Sequence, residues 1–543
     1  MLVRDAIGRF LYDQGVRVVF GVVGSGNFHI TNALVQAGAR FVAARHEGGA
    51  ASMADGYARM SGEVGVLSVH QGCGYTNTLT GLTEAAKSNT PLLVIAAEAT
   101  DERSNFFIDQ AGIAEAIGAV AARVRSPQSA LSDVARAYAT ARNLRRTVVL
   151  NVPIDVQDLE LPDVSTPVVA AASPAPAAHH DDVARLAELL AAAERPVFVA
   201  GRGGRSPGSA EALRTLGKQA GALLATSAVS RGLFHGDPWN IDVSGGFSSP
   251  LTAELIADAD LIIGFGCALN MWTMRHGKLI GPGATVVQVD SDPARLGRSR
   301  PVDVAVWGGI EATAVAVTRF LADRGMPRTG YRTAEIASRI ESELRWHQVP
   351  YVDASTDQLI DPRTLSSELN ALLPQERVVS VDSGNFLGYP SMFLDVPDEN
   401  GFCFTQAFQS VGLGLATGIG AAIAQPDRLP VVGTGDGGFL MGISELDTAV
   451  RLRLPLLVIV YDDAMYGAEV HHFGNGESLD TVTFPDTDLA SIARGYGCEA
   501  VTVRSVDDLA AVKAWLSAPD RPLVIDAKIV SSPAWWLQEA FGH

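Results

Sequence analysis

The chain is short of cysteine and of positive charge, and it has no long uncharged apolar run. Its four cysteines, Cys73, Cys267, Cys403 and Cys498, are scattered over 543 residues without a Cys-x-x-Cys pair. That spacing argues against a disulfide framework or a thiolate metal site and fits a reducing cytoplasm. Lysine and arginine number 42 against 60 acids, a formal charge of -18, which argues against nucleic acid and anionic membrane as partners. No uncharged apolar stretch reaches the ~18 residues of a membrane span. A basic and apolar leader is missing as well, since an amphipathic helix pattern over Val3 to Leu11 comes first. No short-period repeat is visible.

What is present is apolar content of 47% with 19% charged residues, the composition of a well-packed soluble protein. The length exceeds one core and predicts roughly three domains of ~150 to 200 residues. The most informative stretch runs Val431-Val432-Gly433-Thr434-Gly435-Asp436-Gly437-Gly438-Phe439, then a helix near Ser444 to Leu452, then Leu456-Leu457-Val458-Ile459-Val460-Tyr461-Asp462-Asp463. It reads as strand, glycine turn, helix and strand. A right-handed crossover brings both strand ends to one carboxyl edge of a parallel sheet, so Asp436 and Asp463 face one ion. Two carboxylates suit Mg²⁺, a hard cation commonly held together with substrate phosphates. The glycines Gly435, Gly437 and Gly438 let backbone N–H groups approach a phosphate, and the following helix offers its positive end. An ordinary nucleotide-binding turn is the competing reading.

Here the residues resemble enzymes that use thiamine diphosphate, in the decarboxylase and acetolactate synthase branch. In that family the metal-binding Asp of Gly-Asp-Gly is followed 27 residues later by an Asn ligand, and Asp463 stands at that register with Asp462 before it. The resemblance implies that Asp436, Asp463 and the Met465 carbonyl hold Mg²⁺, with Tyr466 and Gly467 beside them. Arg45-His46-Glu47 with Asp55-Gly56-Tyr57-Ala58-Arg59 is similar to the family's pyrimidine-binding domain, where the matching Glu hydrogen-bonds a ring nitrogen of the cofactor and activates its thiazolium carbon. Glu47 is thereby the leading catalytic candidate, against a plain acid in a first helical turn.

The first segment alternates strands (Val16 to Phe20, Phe41 to Ala44, Val64 to Val69, Leu92 to Ala97) with helices, an α/β pattern. His70-Gln71-Gly72-Cys73-Gly74-Tyr75-Thr76-Asn77 follows a strand end, and in benzoylformate-decarboxylase-like members a His at this register moves protons. Asn77 is counted with the cofactor contacts. Ser25 in the first glycine turn matches that enzyme's active-site serine, whereas the histidine of benzaldehyde lyase falls at Gly26. His29 lies three residues further on and is either a site residue or helix surface. At the register where many relatives carry a glutamine the chain has Phe106, which puts acetolactate synthesis in doubt. Gln110-Ala111-Gly112-Ile113 is similar to benzaldehyde lyase, whose Gln contacts the reacting centre.

The Ala- and Pro-rich stretch from Val164 to His180 reads as a linker. In the second domain, strands Pro196 to Ala200, Leu261 to Ile263 and Ala284 to Val289 carry Gly201-Arg202-Gly203-Gly204 and Gly264-Phe265-Gly266, incomplete dinucleotide motifs. Relatives bind FAD in this domain or nothing, and the weak motif makes FAD unlikely here. A helical connection with Ile336, Ile340 and Leu344 on one face leads to the third domain. There Gly384 and Asn385 follow a strand and offer N–H groups to a diphosphate, or form a plain turn. By resemblance Gln409 lies beneath the bent cofactor and Val411 wedges between its two rings. Glu469 matches a glutamate that acts on the substrate carboxylate and on proton delivery. His471 and His472 are read as interfacial or exposed, and the aromatic tail Trp535-Trp536-Leu537 as a lid or a subunit contact.

The expectation is therefore three doubly wound parallel α/β domains over 1–163, 181–324 and 357–543. The resemblance implies a cytoplasmic homodimer or homotetramer whose active sites lie between subunits. It implies decarboxylation of a 2-oxo acid, followed by protonation or by ligation to a second carbonyl compound, an aldehyde or ketone. Reversible acyloin cleavage and a cofactor-binding paralogue without turnover stay open.

Overall fold

The computed structural model describes residues 1–163, 165–325, 330–474 and 476–532, and Trp535, Trp536 and Leu537 lie outside them. Near-continuous apolar runs such as Leu92–Glu98 and Leu457–Asp462 form strands that are almost wholly buried. Helices cover both faces of such strands, the usual setting of parallel sheets. The described strands make three six-stranded sheets, parallel throughout.

The first sheet contains β1 (Val18–Gly21), β2 (Arg40–Ala43), β3 (Gly65–Val69), β4 (Leu92–Glu98), β5 (Val120–Arg123) and β6 (Thr147–Pro153) in the order β2-β1-β3-β4-β6-β5. The second contains β7 (Pro196–Ala200), β8 (Leu223–Thr226), β9 (Asn240–Val243), β10 (Leu261–Phe265), β11 (Thr285–Asp290) and β12 (Val304–Trp307), ordered β12-β11-β10-β7-β8-β9. The third contains β13 (Arg377–Val381), β14 (Phe402–Phe404), β15 (Leu429–Gly435), β16 (Leu457–Asp462), β17 (Glu499–Val503) and β18 (Leu523–Lys528), ordered β14-β13-β15-β16-β18-β17. The first and third sheets thus repeat one strand order. The expected connection includes the helix Ala334–Glu343, whose Ile336 and Ile340, with Leu344 just beyond, pack on the core of the second sheet.

Five helices frame the strand ends of the two terminal domains: α1 (Glu47–Ser61), α2 (Leu79–Ser88), α3 (Gly414–Ala424), α4 (Asp436–Gly442) and α5 (Glu445–Arg451). Helices α1 and α3 cross so closely that a Cβ on Gly420 would lie 2.0 Å from the Met53 carbonyl oxygen, and one on Gly56 would lie 2.5 Å from that of Thr417. One apolar core therefore runs through both terminal domains, from Phe20 and Leu82 to Ile419, Phe439 and Leu446. No helix among the described residues is long and apolar enough to cross a membrane.

Candidate active site

In an open parallel sheet the crevice forms where the strand order reverses. In the first sheet that point lies between β1 and β3, whose following turns carry Ser25 and His70. The Ser25 Oγ lies 3.2 Å from His70 Nε2, and His70 Nδ1 lies 2.8 Å from the Gln71 carbonyl oxygen. A carbonyl only accepts, so Nδ1 bears the hydrogen, and in the neutral ring Nε2 is then the acceptor for the Ser25 hydroxyl. Glycines make the arrangement possible: a Cβ at Gly24 would meet His70 Cδ2 at 2.2 Å, and one at Gly26 would meet Gln71 Oε1 at 1.7 Å. Where the lyase has its histidine this chain has Gly26, and any side chain there would have to move the Gln71 amide that packs against it. The exposed Phe106 ring packs edge-on against His70 at 4.9 Å.

Glu47 opens α1 just past the end of β2. It is half-buried, and Asn77 Nδ2 donates to its Oε2 at 2.9 Å. The Gly74 backbone fits between Glu47 and His70: a Cβ there would stand 2.8 Å from His70 Cβ and 3.4 Å from Glu47 Oε1. Glu47, Asn77, His70 and Ser25 therefore border one cleft. Gln110 is outside that group. It is buried, its Nε2 donates to Ala97 O and Asn151 Oδ1, and its Oε1 accepts from Gly72 N–H. Gln110 reaches the cleft only through the turn it holds. His29 is exposed with its ring against Phe28, the surface alternative.

The reversal point of the third sheet lies between β13 and β15. Gly384 and Asn385 follow β13, and Asp436 follows β15 as the first residue of α4. The register Gly435↔Tyr461 brings Asp463, two residues past Tyr461, to the same edge. A cavity of about 710 Å³ is lined by Gly384, Asn385, Gln409, Val411, Gly435, Asp436, Gly437, Gly438, Asp463, Met465, Tyr466, Gly467 and Glu469. Val411 is 38% exposed, so it is a cavity residue and not packed core. Gln409 sits at φ 60°, in the left-handed region. Glu47, Asn77, Ser25 and His70 do not line this cavity.

The cavity is acidic at its Asp436 and Asp463 edge. Burial, reinforced by Asp462 and Asp463, pushes the Asp436 carboxyl up to about 7. Burial, with Asp462 adding to it and a Ser531 hydrogen bond opposing, pushes Asp463 up to about 6. Among the described residues no cationic side chain pairs with either acid. Lys528 donates at 2.5 Å to Asp462 and at 2.6 Å to Asp486. Burial works against its charge, but these acids and Asp526 outweigh that and raise its pKa. A buried and a half-buried carboxylate, neither paired with a cationic side chain among the described residues, fit a hard divalent cation beside the Met465 backbone. His471 is half-buried, with Nε2 3.4 Å from the Ser531 Oγ that also reaches Asp463. It thus reaches the cavity only through Ser531, whereas His472 is exposed.

The cavity continues to the ends of β7 and β10 in the second domain, past Gly201, Arg202, Gly266 and Arg295. Burial, together with Arg59, Arg145, Arg295 and Arg205, draws the Arg202 pKa down to about 9.

Sequence reasoning missed Asp382. This buried acid at the end of β13 accepts the Gly412 N–H at 3.0 Å and the Thr434 hydroxyl at 3.2 Å. It ties the Val411 loop to the glycine turn, and burial raises its pKa to about 6. Its place directly after an apolar strand and before Ser-Gly-Asn was the available signal.

Three family models match the chain in order: the thiamine pyrophosphate enzyme N-terminal TPP binding domain over residues 1–122, the central domain over 183–317 and the C-terminal TPP binding domain over 382–527. A probable 2-ketoarginine decarboxylase of Pseudomonas aeruginosa is 30% identical over 93% of this chain and 90% of its own length. A sulfoacetaldehyde acetyltransferase of Castellaniella defragrans is 28% identical, covering 93% of this chain and 88% of its own. The acetolactate synthase isozyme 2 large subunit of Escherichia coli is 26% identical over 95% and 93% of the two chains.

Proposed function

The chain belongs to the thiamine pyrophosphate enzyme family, and from that premise we propose that it is a Mg²⁺-dependent 2-oxo acid decarboxylase or carboligase acting as a homodimer or homotetramer. The observation that carries this reading is the division of the site. The groups suited to a diphosphate and a metal line one cavity, while Glu47, Asn77, His70 and Ser25 form a second cluster outside it. Two copies of the chain, each offering one cluster to the other's cavity, complete a site that one copy leaves divided.

In this reading Asp436, Asp463 and the Met465 carbonyl would hold Mg²⁺, and backbone N–H groups of Gly437, Gly438, Gly384 and Asn385 would receive the diphosphate. When bound, thiamine diphosphate supplies the electron sink for cleavage next to a carbonyl. Asn77 occupies Glu47 Oε2, leaving Oε1 to exchange a proton with a ring nitrogen. His70 Nε2, backed by Ser25, accepts or delivers a proton at the substrate, and Glu469 does so from the other wall. The Phe106 ring packs against His70 and limits where its imidazole can swing. The acyloin-lyase alternative loses its motivating contact, since the Gln110 amide is committed to Ala97, Asn151 and Gly72.

The central domain is read as carrying no flavin, and a yellow purified protein would overturn that. To test the reaction, protein loaded with thiamine diphosphate and Mg²⁺ is offered pyruvate, benzoylformate and benzoin. Release of CO₂ from a 2-oxo acid is expected. Cleavage of benzoin alone would favour the lyase, and silence with all three would favour a paralogue without turnover.

A further inference from the structure

Two buried glutamates, one from each terminal domain, hold backbone that belongs to the other domain. Glu445 on α5 is 1% exposed. Its Oε1 accepts the Arg45 N–H at 3.1 Å and the His46 N–H at 3.0 Å, immediately before Glu47. Its Oε2 accepts the Thr448 hydroxyl at 2.7 Å. The same helix grips the loop twice more: Arg451 Nη2 donates to Ala43 O at 2.5 Å, and Arg45 Nε donates to Asp447 Oδ2 at 2.5 Å. Gly49 leaves room for the carboxylate, since a Cβ there would lie 2.3 Å from Glu445 Oε1.

The converse contact comes from Glu84 on α2, also 1% exposed. It accepts the Ala407 N–H at 3.1 Å and the Phe408 N–H at 2.6 Å, just ahead of Gln409 and Val411. Arg59 joins it at 2.8 Å and donates to Phe404 O at 2.7 Å. A buried carboxylate is costly unless its oxygens are satisfied, and hydrogen bonds to a charged group are among the stronger ones. Each glutamate therefore holds a short, defined backbone segment and not a loose contact.

We propose that Glu445 and Glu84 are positioning residues: Glu445 fixes the carboxylate of Glu47, and Glu84 fixes the Val411 loop under the cofactor. This rests on the functional reading above. Neither side chain touches the cofactor or substrate; both act through backbone. Because each clamp crosses the domain face, the orientation of Glu47 depends on the fold of the diphosphate domain, and the Val411 loop on that of the pyrimidine domain.

The full-length protein is tested with Glu445→Gln, which keeps the volume and one acceptor oxygen, and with Glu84→Gln. In cofactor-free protein, hydrogen–deuterium exchange of the Arg45 and His46 amides should quicken at least tenfold in Glu445→Gln and stay unchanged in Glu84→Gln. In loaded protein, C2 proton exchange of bound thiamine diphosphate should fall five- to tenfold in each variant. Mg²⁺-dependent binding of inorganic pyrophosphate, which reports on the diphosphate cradle alone, should stay within twofold of wild type. C2 exchange within twofold of wild type in both variants would overturn the proposal, as would pyrophosphate affinity falling in step with it, the mark of general disruption. Wild-type protein serves as the control: if it shows no C2 exchange at all, the functional reading fails, whereas normal exchange in wild type and both variants removes only this inference.

Discussion

The first and third sheets share one strand order and reverse direction at the same place, yet the two crevices hold opposite chemistry. In the first, the turns carry a hydroxyl and an imidazole in contact, Ser25 and His70, and the glycines exist to admit side chains. In the third, the turns carry Asp382 and Asp436, and charge without a cationic partner gathers at Asp436 and Asp463. A common topology therefore says where a site forms, and the few residues past the strand ends decide which chemistry it is fitted for.

That contrast is broken most severely at Glu47. Glu47→Gln should lower C2 proton exchange of the bound cofactor by about 10²–10⁴-fold, the usual worth of a positioned acid or base. Pyrophosphate binding, measured by calorimetry, should be unchanged. Unaltered exchange would remove Glu47 from the mechanism. Asp436→Ala is the reciprocal change. Losing a direct carboxylate ligand should cost Mg²⁺-dependent cofactor affinity roughly 10²-fold, at or beyond the 10–100-fold typical of outer partners.

The contrast is sharpened by a glycine. In Gly24→Ala the new methyl falls 2.2 Å from His70 Cδ2 and must displace the ring. Its product formation should therefore resemble that of His70→Ala, slower by about 10²-fold with cofactor affinity retained. A Gly24→Ala enzyme of wild-type rate would show that the contact between Ser25 and His70 is dispensable.

The smallest effect is on stability. Asp436 and Asp463 have folded pKa values raised to about 7 and about 6 in the metal-free protein. The native state thus binds more protons than the unfolded chain between the ordinary carboxyl range and about pH 7. Their contribution is present at low pH and lost as pH rises through that window. The melting temperature of metal-free protein should accordingly fall between pH 5 and 8, and Mg²⁺ should recover most at the upper end. Asp463→Asn should flatten the slope; an unchanged slope would mean that this acid adds no strain to the empty site.

Much of this was legible in the sequence. Buried apolar runs such as Leu457–Asp462, which ends in acids, announce parallel strands, and one crossover suffices to bring Asp436 and Asp463 to the same edge. What could not be read depends on residues hundreds of positions apart. Glu445 and Glu84 carry no local mark that separates them from other helix acids, and only contacts with backbone of the opposite terminal domain show their place. Gln110 has the neighbours of a lyase glutamine, yet Ala97, Asn151 and Gly72 claim its amide, a fate that only the packed turn reveals.

The claim that most needs testing is that each complete site takes its two clusters from different chains. Glu47→Gln and Asp436→Ala chains, each strongly impaired alone at limiting cofactor, are co-expressed and C2 proton exchange is measured under that condition. Two-chain sites predict that mixed dimers regain one intact site each, roughly a quarter of wild-type exchange per chain when pairing is random. Exchange no greater than that of the two single variants added together would contradict the account.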